Sequence, residues 1–398
     1  MSKTSIRSVH ARQILDSRGR PTVEVDVELE DGTQARASVP SGASTGAAEA
    51  HELRDGDIAR YDGRGVSKAV GHVNHEIAGA LRGRDAAQQD SIDRLLLELD
   101  GTPQLHRLGA NAVLGTSLAL CRAVAASARQ PLYRRIAELT GTRQITMPMP
   151  MVNILSGGLH AGRGMDVQDF LAIPASATSI DEAIHMVSRV RTAAAEVMQE
   201  RGQSTLLADE GGLSPGFRTG REALELMMRS TEHAGLKPGT DIVIAIDVAA
   251  SSLKGPGGSY RLAREGRDVS AEQMIAMLEE WVRDFPVVSI EDGLDEEDWT
   301  GWRALTERLG HQVRLVGDDL FTTNGARVAR GIESGIANGV LVKVNQNGSL
   351  SGTLAVIAAA RSAGYAPVVS ARSGETEDSF IADLAVGSAA GQIKIGSV

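Results

Sequence analysis

Six short apolar runs in the last two-thirds of the chain close on, or just before, a charged residue. This recurrence limits the fold more than any other feature. The runs are 242–247, 287–292, 313–319, 340–343, 367–370 and 392–394. They are rich in β-branched residues, lack polar alternation and are separated by stretches of helical periodicity. Strands of that kind mean a parallel sheet buried on both faces by helices. Two earlier runs, near 149–155 and 167–173, bring the count to eight, which favours a closed barrel over an open sheet. No glycine fingerprint of the dinucleotide or P-loop kind follows a strand, which argues against a Rossmann arrangement.

The N-terminal part reads differently. Residues 22–30 alternate strictly between polar and apolar, the period of a half-buried antiparallel strand. Asp31-Gly32 marks a hairpin and residues 33–39 return as its partner. Ser41 to Gly46 is small and flexible in composition, and helical periodicity dominates from about 47 to 140. The expected organisation is an α+β domain over 1–140 and a barrel domain over 141–398. With 398 residues and 42% hydrophobic content, the chain can bury two such cores.

Charge and cysteine content narrow the partners. The net charge is −10 and no Lys/Arg-rich run occurs, which argues against nucleic acid and anionic membrane. The one cysteine, Cys121, lies in an apolar helical stretch and reads as a buried thiol. The N-terminus lacks a signal-peptide core, and the apolar stretch 110–126 is interrupted by Asn111 and Arg122, so no span is expected. The expectation is a cytoplasmic globular enzyme.

The charges themselves carry the chemistry. Asp247, Glu291, Asp318, Lys343, Arg372 and Lys394 are 44, 27, 25, 29 and 22 residues apart, about one βα unit each after the first. In a parallel barrel every strand's C-terminal end opens on one mouth, so these six groups converge. Three carboxylates from three strands suit a hard cation such as magnesium, the alternative being three separate salt bridges. Lys343 and Lys394 face the acids; a lysine beside other cations has its neutral form favoured and can serve as a base. Arg372-Ser373-Gly374 combines a guanidinium fork, a hydroxyl and an approachable backbone, which suits a phosphate. Glu210 precedes Gly211-Gly212 in a tight acidic loop, and His160 follows Gly157-Gly158-Leu159; each is also compatible with a purely structural role.

Nine stretches then read as one pattern: VPSGASTG (39–46), LGANAVLG (108–115), ADEGG (208–212), DVAAS (247–251), SIEDGL (289–294), VGDDLFTTN (316–324), KVNQ (343–346), SGETEDSFIADLAVG (373–387) and GQIK (391–394). In order along nearly the whole chain, they closely resemble enolase, phosphopyruvate hydratase. The resemblance implies an α+β capping domain and a modified (β/α)8 TIM-like barrel. It implies Asp247, Glu291 and Asp318 as ligands of a tightly held Mg2+, and Ser44 as the residue that closes on a second Mg2+ arriving with substrate. It implies Lys343 as the base, Glu210 as the acid on the departing hydroxyl, and His160 and Asp169 as further active-site positions. Lys394 resembles the clamp on the substrate carboxylate and Arg372 and Ser373 the phosphate binders, with Gln168 and Ala371 also on the substrate side. The family habit implies a homo-oligomer acting on a small phosphorylated anion.

The sequence departs from that pattern in places. Ala371 stands where histidine is usual, Asp169 where glutamate is, Asn347 where isoleucine is and Ser156 where asparagine is; the chain ends four residues after Lys394, where enolases continue. Loss of an imidazole beside the phosphate binders opens space. The expectation is therefore an enolase-like lyase whose substrate carries a bulkier phosphonyl group, of the kind handled by the carboxyphosphonoenolpyruvate synthase family of phosphinate antibiotic pathways. The alternatives are an ordinary enolase and a non-catalytic enolase-like protein.

Overall fold

The computed structural model describes residues 2–43 and 46–398. The N-terminal unit is an antiparallel sheet of β1 (Ile6–Leu15), β2 (Pro21–Leu29) and β3 (Gln34–Ser38), in that order. The hairpin expected over 22–39 is β2–β3. The strand β1 was not expected, because its buried positions do not alternate. The sheet buries Val23, Val25 and Val27 against the helix Ala110–Ser127, and Gly115 is where they meet: a Cβ there would lie 2.7 Å from Val25. That helix is long and apolar enough to cross a membrane, but 83% of it is buried inside the protein. It is the core helix of this unit, and burial pushes the Cys121 thiol up to about 12.

The expected helical stretch 47–140 is corrected in its first part. The first α-helix begins only at Ser67, after a short 3-10 turn at Tyr61–Gly63, and residues 47–60 form an irregular strap. Asn111 holds that strap by pairing with both backbone groups of Leu53, and Gly56 within it disfavours helix.

The second unit is a closed barrel. Its strands are β4 (Met149–Ser156), β5 (Asp169–Ile173), β6 (Val243–Asp247), β9 (Val287–Glu291), β10 (Arg314–Gly317), β11 (Gly339–Val342), β12 (Ala366–Ser370) and β13 (Gln392–Ile395), while β7 (Tyr260–Leu262) and β8 (Arg267–Val269) form a hairpin outside it. Helices such as Ala271–Asp284 and Leu350–Ser362 return the chain between strands, and Met151, Leu171, Ala245, Val316, Leu341 and Val368 fill the interior. The expected all-parallel sheet is corrected at β5, which runs antiparallel to β4 and to β6. The cause is the connection 157–168: it holds only the short turn of helix Gly158–Ala161, too little for a crossover, so the chain turns back as a hairpin. The two units dock where Ser41 and Gly374 exchange backbone hydrogen bonds of 2.8 and 2.9 Å.

Candidate active site

The mouth of the barrel is assembled strand by strand. Asp247 and Glu291 are the last residues of β6 and β9 and sit opposite each other in the ladder. Asp318 and Lys343 directly follow β10 and β11, Arg372 comes two residues after β12, and Lys394 lies within β13. Because β5 is reversed, its first residue, Asp169, also reaches the mouth, paired in register with Asp247. The structure thus brings together Asp247, Glu291, Asp318, Lys343, Arg372, Lys394 and Asp169, nearly all from sequence-distant strands. Ser44 lies outside the described residues.

The contacts form three groups. Lys394 Nζ donates to Asp247 Oδ2 and to both oxygens of Glu291, each at 2.8 Å. Lys343 Nζ donates to Asp318 Oδ2 at 2.5 Å, and Gln346 donates to Asp318 Oδ1 at 2.8 Å. Arg372 donates to Glu49 at 3.1 Å and to Asn345 at 2.9 Å. The Ser373 hydroxyl accepts from the Ala43 amide at 2.8 Å, so residues 41–43 rest on the expected anion site.

A cluster built on the β4–β5 hairpin completes the wall. Asp169 Oδ1 accepts from Asn153 at 2.6 Å and from Ser156 at 2.8 Å, while Oδ2 lies 3.5 Å from His160 Nδ1. His160 Nδ1 is also 3.6 Å from Glu210. Gln168, at the end of the hairpin, donates to Asp247 Oδ2 at 3.1 Å. Ala371 lines the cleft between Ser370 and Arg372, with Gln168, His160, Glu210, Ser373 and Lys394 around it. A larger cavity, of about 420 Å³, shares Arg372 and is lined by Glu49, Glu52, His51 and His106.

The electrostatics follow from burial and crowding. Burial opposes the Asp247 charge, yet Lys394 outweighs it and holds the carboxyl below its ordinary value. Burial and then Asp247 push Glu291 well above its ordinary value, and Lys394 opposes them without prevailing. Burial and Asp169 likewise raise Glu210. For His160, burial lowers the affinity for a proton but Asp169 overcomes it, and the ring is raised to about 9. Lys343 corrects an expectation. Burial favours its neutral form, and so do Arg372 and Lys394, but the ion pair to Asp318 outweighs them and raises it.

The donor set fits a further cation. Asp247, Glu291 and Asp318 are almost fully buried, and even with two lysines beside them Glu291 stays raised by burial and by Asp247. The salt bridges weighed as the alternative are present, but they do not balance these acids. Two other triads bring one donor atom from each member within 4.8 Å: His160, Asp169 and Glu210, and Asp292, Asp318 and Asp319. In the second, Asp292 already accepts the amides of Asp318 and Asp319 at 3.0 and 2.7 Å, so it staples two strand ends together.

Family models match both units: the enolase N-terminal domain over residues 6–136 and the enolase C-terminal TIM barrel domain over residues 144–398. The chain belongs to the enolase family. Within this enolase-family site, several residues escaped the sequence reading. Glu49, Asn345 and Gln346 hold Arg372 and Asp318, Asn153 holds Asp169, and Asp292 fixes the turn that carries Asp318. A usable signal existed for the second and third, since Lys343 is followed closely by the polar pair Asn345-Gln346.

Proposed function

We propose that this chain is a magnesium-dependent hydro-lyase that eliminates water from a 2-phosphoglycerate-like substrate bearing a carboxyphosphono group, giving an enolpyruvate product. The observation that carries the substrate choice is Ala371. It lines the cleft beside Arg372 and Ser373, where the family pattern has an imidazole. On this reading the methyl of Ala371, shorter than an imidazole, is what would let a phosphonyl group larger than phosphate approach Arg372 and Ser373.

The residues divide the work as follows. Arg372 and Ser373 bind the phosphoryl or phosphonyl end, the guanidinium pre-set by Glu49 and Asn345. Asp247, Glu291 and Asp318 would hold Mg2+, with Ser44 serving a second ion. Bound magnesium supplies positive charge for the dianionic carboxylate that proton removal creates. A lysine base working beside magnesium is the general pattern of enolase-superfamily sites. Lys343 takes that part here: its pair with Asp318 keeps it charged in this structure, and burial, Arg372 and Lys394 would favour its neutral form once Asp318 turned to a metal ion. Lys394 clamps the substrate carboxylate. Glu210, whose hold on a proton is raised by burial and by Asp169, donates to the leaving hydroxyl. His160 and Asp169 hold that acid's surroundings, and Gln168 orients Asp247. The boundary between the units is placed after residue 140, and a homo-oligomer is the assembly proposed.

The test is a magnesium-dependent dehydration assay that follows the enol product by ultraviolet absorbance. Turnover of a carboxyphosphono-glycerate with little on 2-phosphoglycerate is the expected result. Robust turnover of 2-phosphoglycerate instead would make the chain an ordinary enolase, and turnover of neither, with magnesium bound, would leave a non-catalytic role.

A further inference from the structure

The strand that carries Lys394 does a second task two residues later. The Ser397 amide donates to the Glu210 carbonyl at 2.7 Å, and the Asn153 amide donates to the Gly396 carbonyl at 3.3 Å. Gly396 lies so close to the acidic loop that a Cβ would sit 2.6 Å from the Glu210 carbonyl oxygen and 3.7 Å from its Cβ. On the loop's own side, Gly211 has φ of +82° and its missing Cβ would lie 3.2 Å from Ser397. The loop closes on itself through Ala208 and Gly212, whose amide and carbonyl bond at 2.9 Å, and the Asp209 amide reaches the His160 carbonyl at 3.3 Å. The Glu210 backbone is therefore fixed from behind by residues 396–397, which leaves its carboxyl facing His160 and the cleft.

We propose that Gly396 and Ser397 are positioning residues for the Glu210 carboxyl, tying it through one strand to Lys394 and hence to Asp247 and Glu291. A side chain at 396 must move either the strand or the loop, because the nearest atom is backbone. A displacement of the loop by an ångström takes an acid out of hydrogen-bonding reach of a leaving group. Removing the 397 amide frees the carbonyl of Glu210 and loosens the loop without touching any side chain of the site. The inference rests on the reading of Glu210 as the acid.

Gly396→Ala and Ser397→Pro test it against Ser397→Ala, which keeps the amide. Deuterium uptake at residues 205–214 of the full chain should rise in the first two and stay at the wild-type level in the third. In activity, the first two should lower elimination by about 100-fold, the scale of a displaced general acid. KM should stay within about twofold, since uniform binding is untouched. The wash-out of the substrate's α-proton into D2O, which needs Lys343 and not Glu210, should persist. Unchanged deuterium uptake in Gly396→Ala and Ser397→Pro would overturn the positioning role, and so would elimination and α-proton exchange falling together. A wild-type protein with neither exchange nor elimination on 2-phosphoglycerate or the carboxyphosphono substrate would sink the proposed reaction, while the deuterium uptake would still decide the positioning.

Discussion

Lys394→Met removes the one cation shared by two buried acids and keeps nearly the same side-chain length. At 2.8 Å, each lysine–carboxylate attraction amounts to about 6 kcal/mol at an effective dielectric of about 20. Desolvation of the three groups offsets most of that, and breaking a buried pair from one side costs about 3–5 kcal/mol. Urea unfolding in chelator should therefore show the variant less stable by that amount. Magnesium should then recover more in the variant than in the wild type, because no lysine competes for Asp247 and Glu291. At one hundred times its Kd, the ion adds about 2.7 kcal/mol by mass action. The pH dependence has a definite sign. Glu291 is already raised above 4.5, so the native state holds its proton more tightly than the unfolded chain does, and stability falls as pH rises above that value. The deficit of the variant should shrink on acidification. A loss under about 1 kcal/mol, a surface-pair value, or a magnesium increment no larger than the wild type's, would refute the picture of over-supplied acids.

Further outcomes follow from the same geometry. Ala371→His should fill the cleft beside Arg372, lowering kcat/KM for the carboxyphosphono substrate by about 10-fold or more and raising it for 2-phosphoglycerate, measured by the enol absorbance. The His160 ring should titrate near 9 by NMR, so its pairing contributes fully below about 6.5 and is lost as pH rises through about 9; Asp169→Asn should bring the titration down. Gly374→Ala places a Cβ 2.7 Å from the Ser41 carbonyl and into the Arg18–Asp16 pair; it should cost about 1–3 kcal/mol by overpacking and loosen the docking of the two units in thermal unfolding.

The parts of the fold that could be read in advance were those written in periodic apolar residues. Runs such as Ile242–Asp247 and Val340–Lys343 declare buried parallel strands because no polar residue interrupts them. The direction of β5 is not written that way: Asp169–Ile173 is as apolar as its neighbours, and only the shortness of the 157–168 connection reverses it. The strap at 47–60 shows a similar limit, since its order comes from Asn111, far downstream in the chain. In the site, charges that end strands were legible. Their partners Glu49 and Asn153 were not, because a polar residue's role as a support depends on what it faces. The raised Lys343 shows the same gap, because strand-end position gives the identity of its neighbours but not which one it touches.

The reversed strand also decides how freely the site can vary. Since β5 descends from the mouth, the chain climbs back through helix Ile180–Glu200 and returns down helix Gly220–His233, leaving residues 201–219 as a bridge between helix ends over the opening. Glu210 therefore hangs from a helical hairpin outside the barrel wall, while Asp247, Glu291 and Asp318 are strand termini of the wall itself. The bridge is nonetheless stitched to that wall, Leu213 bonding with Ile154 and Ser156 of β4 and Glu210 with Ser397, so changes of length fit only outside residues 208–213. The strand-end carboxylates are placed by the ladder of the wall, and Glu210 by the few stitches that join the bridge to it.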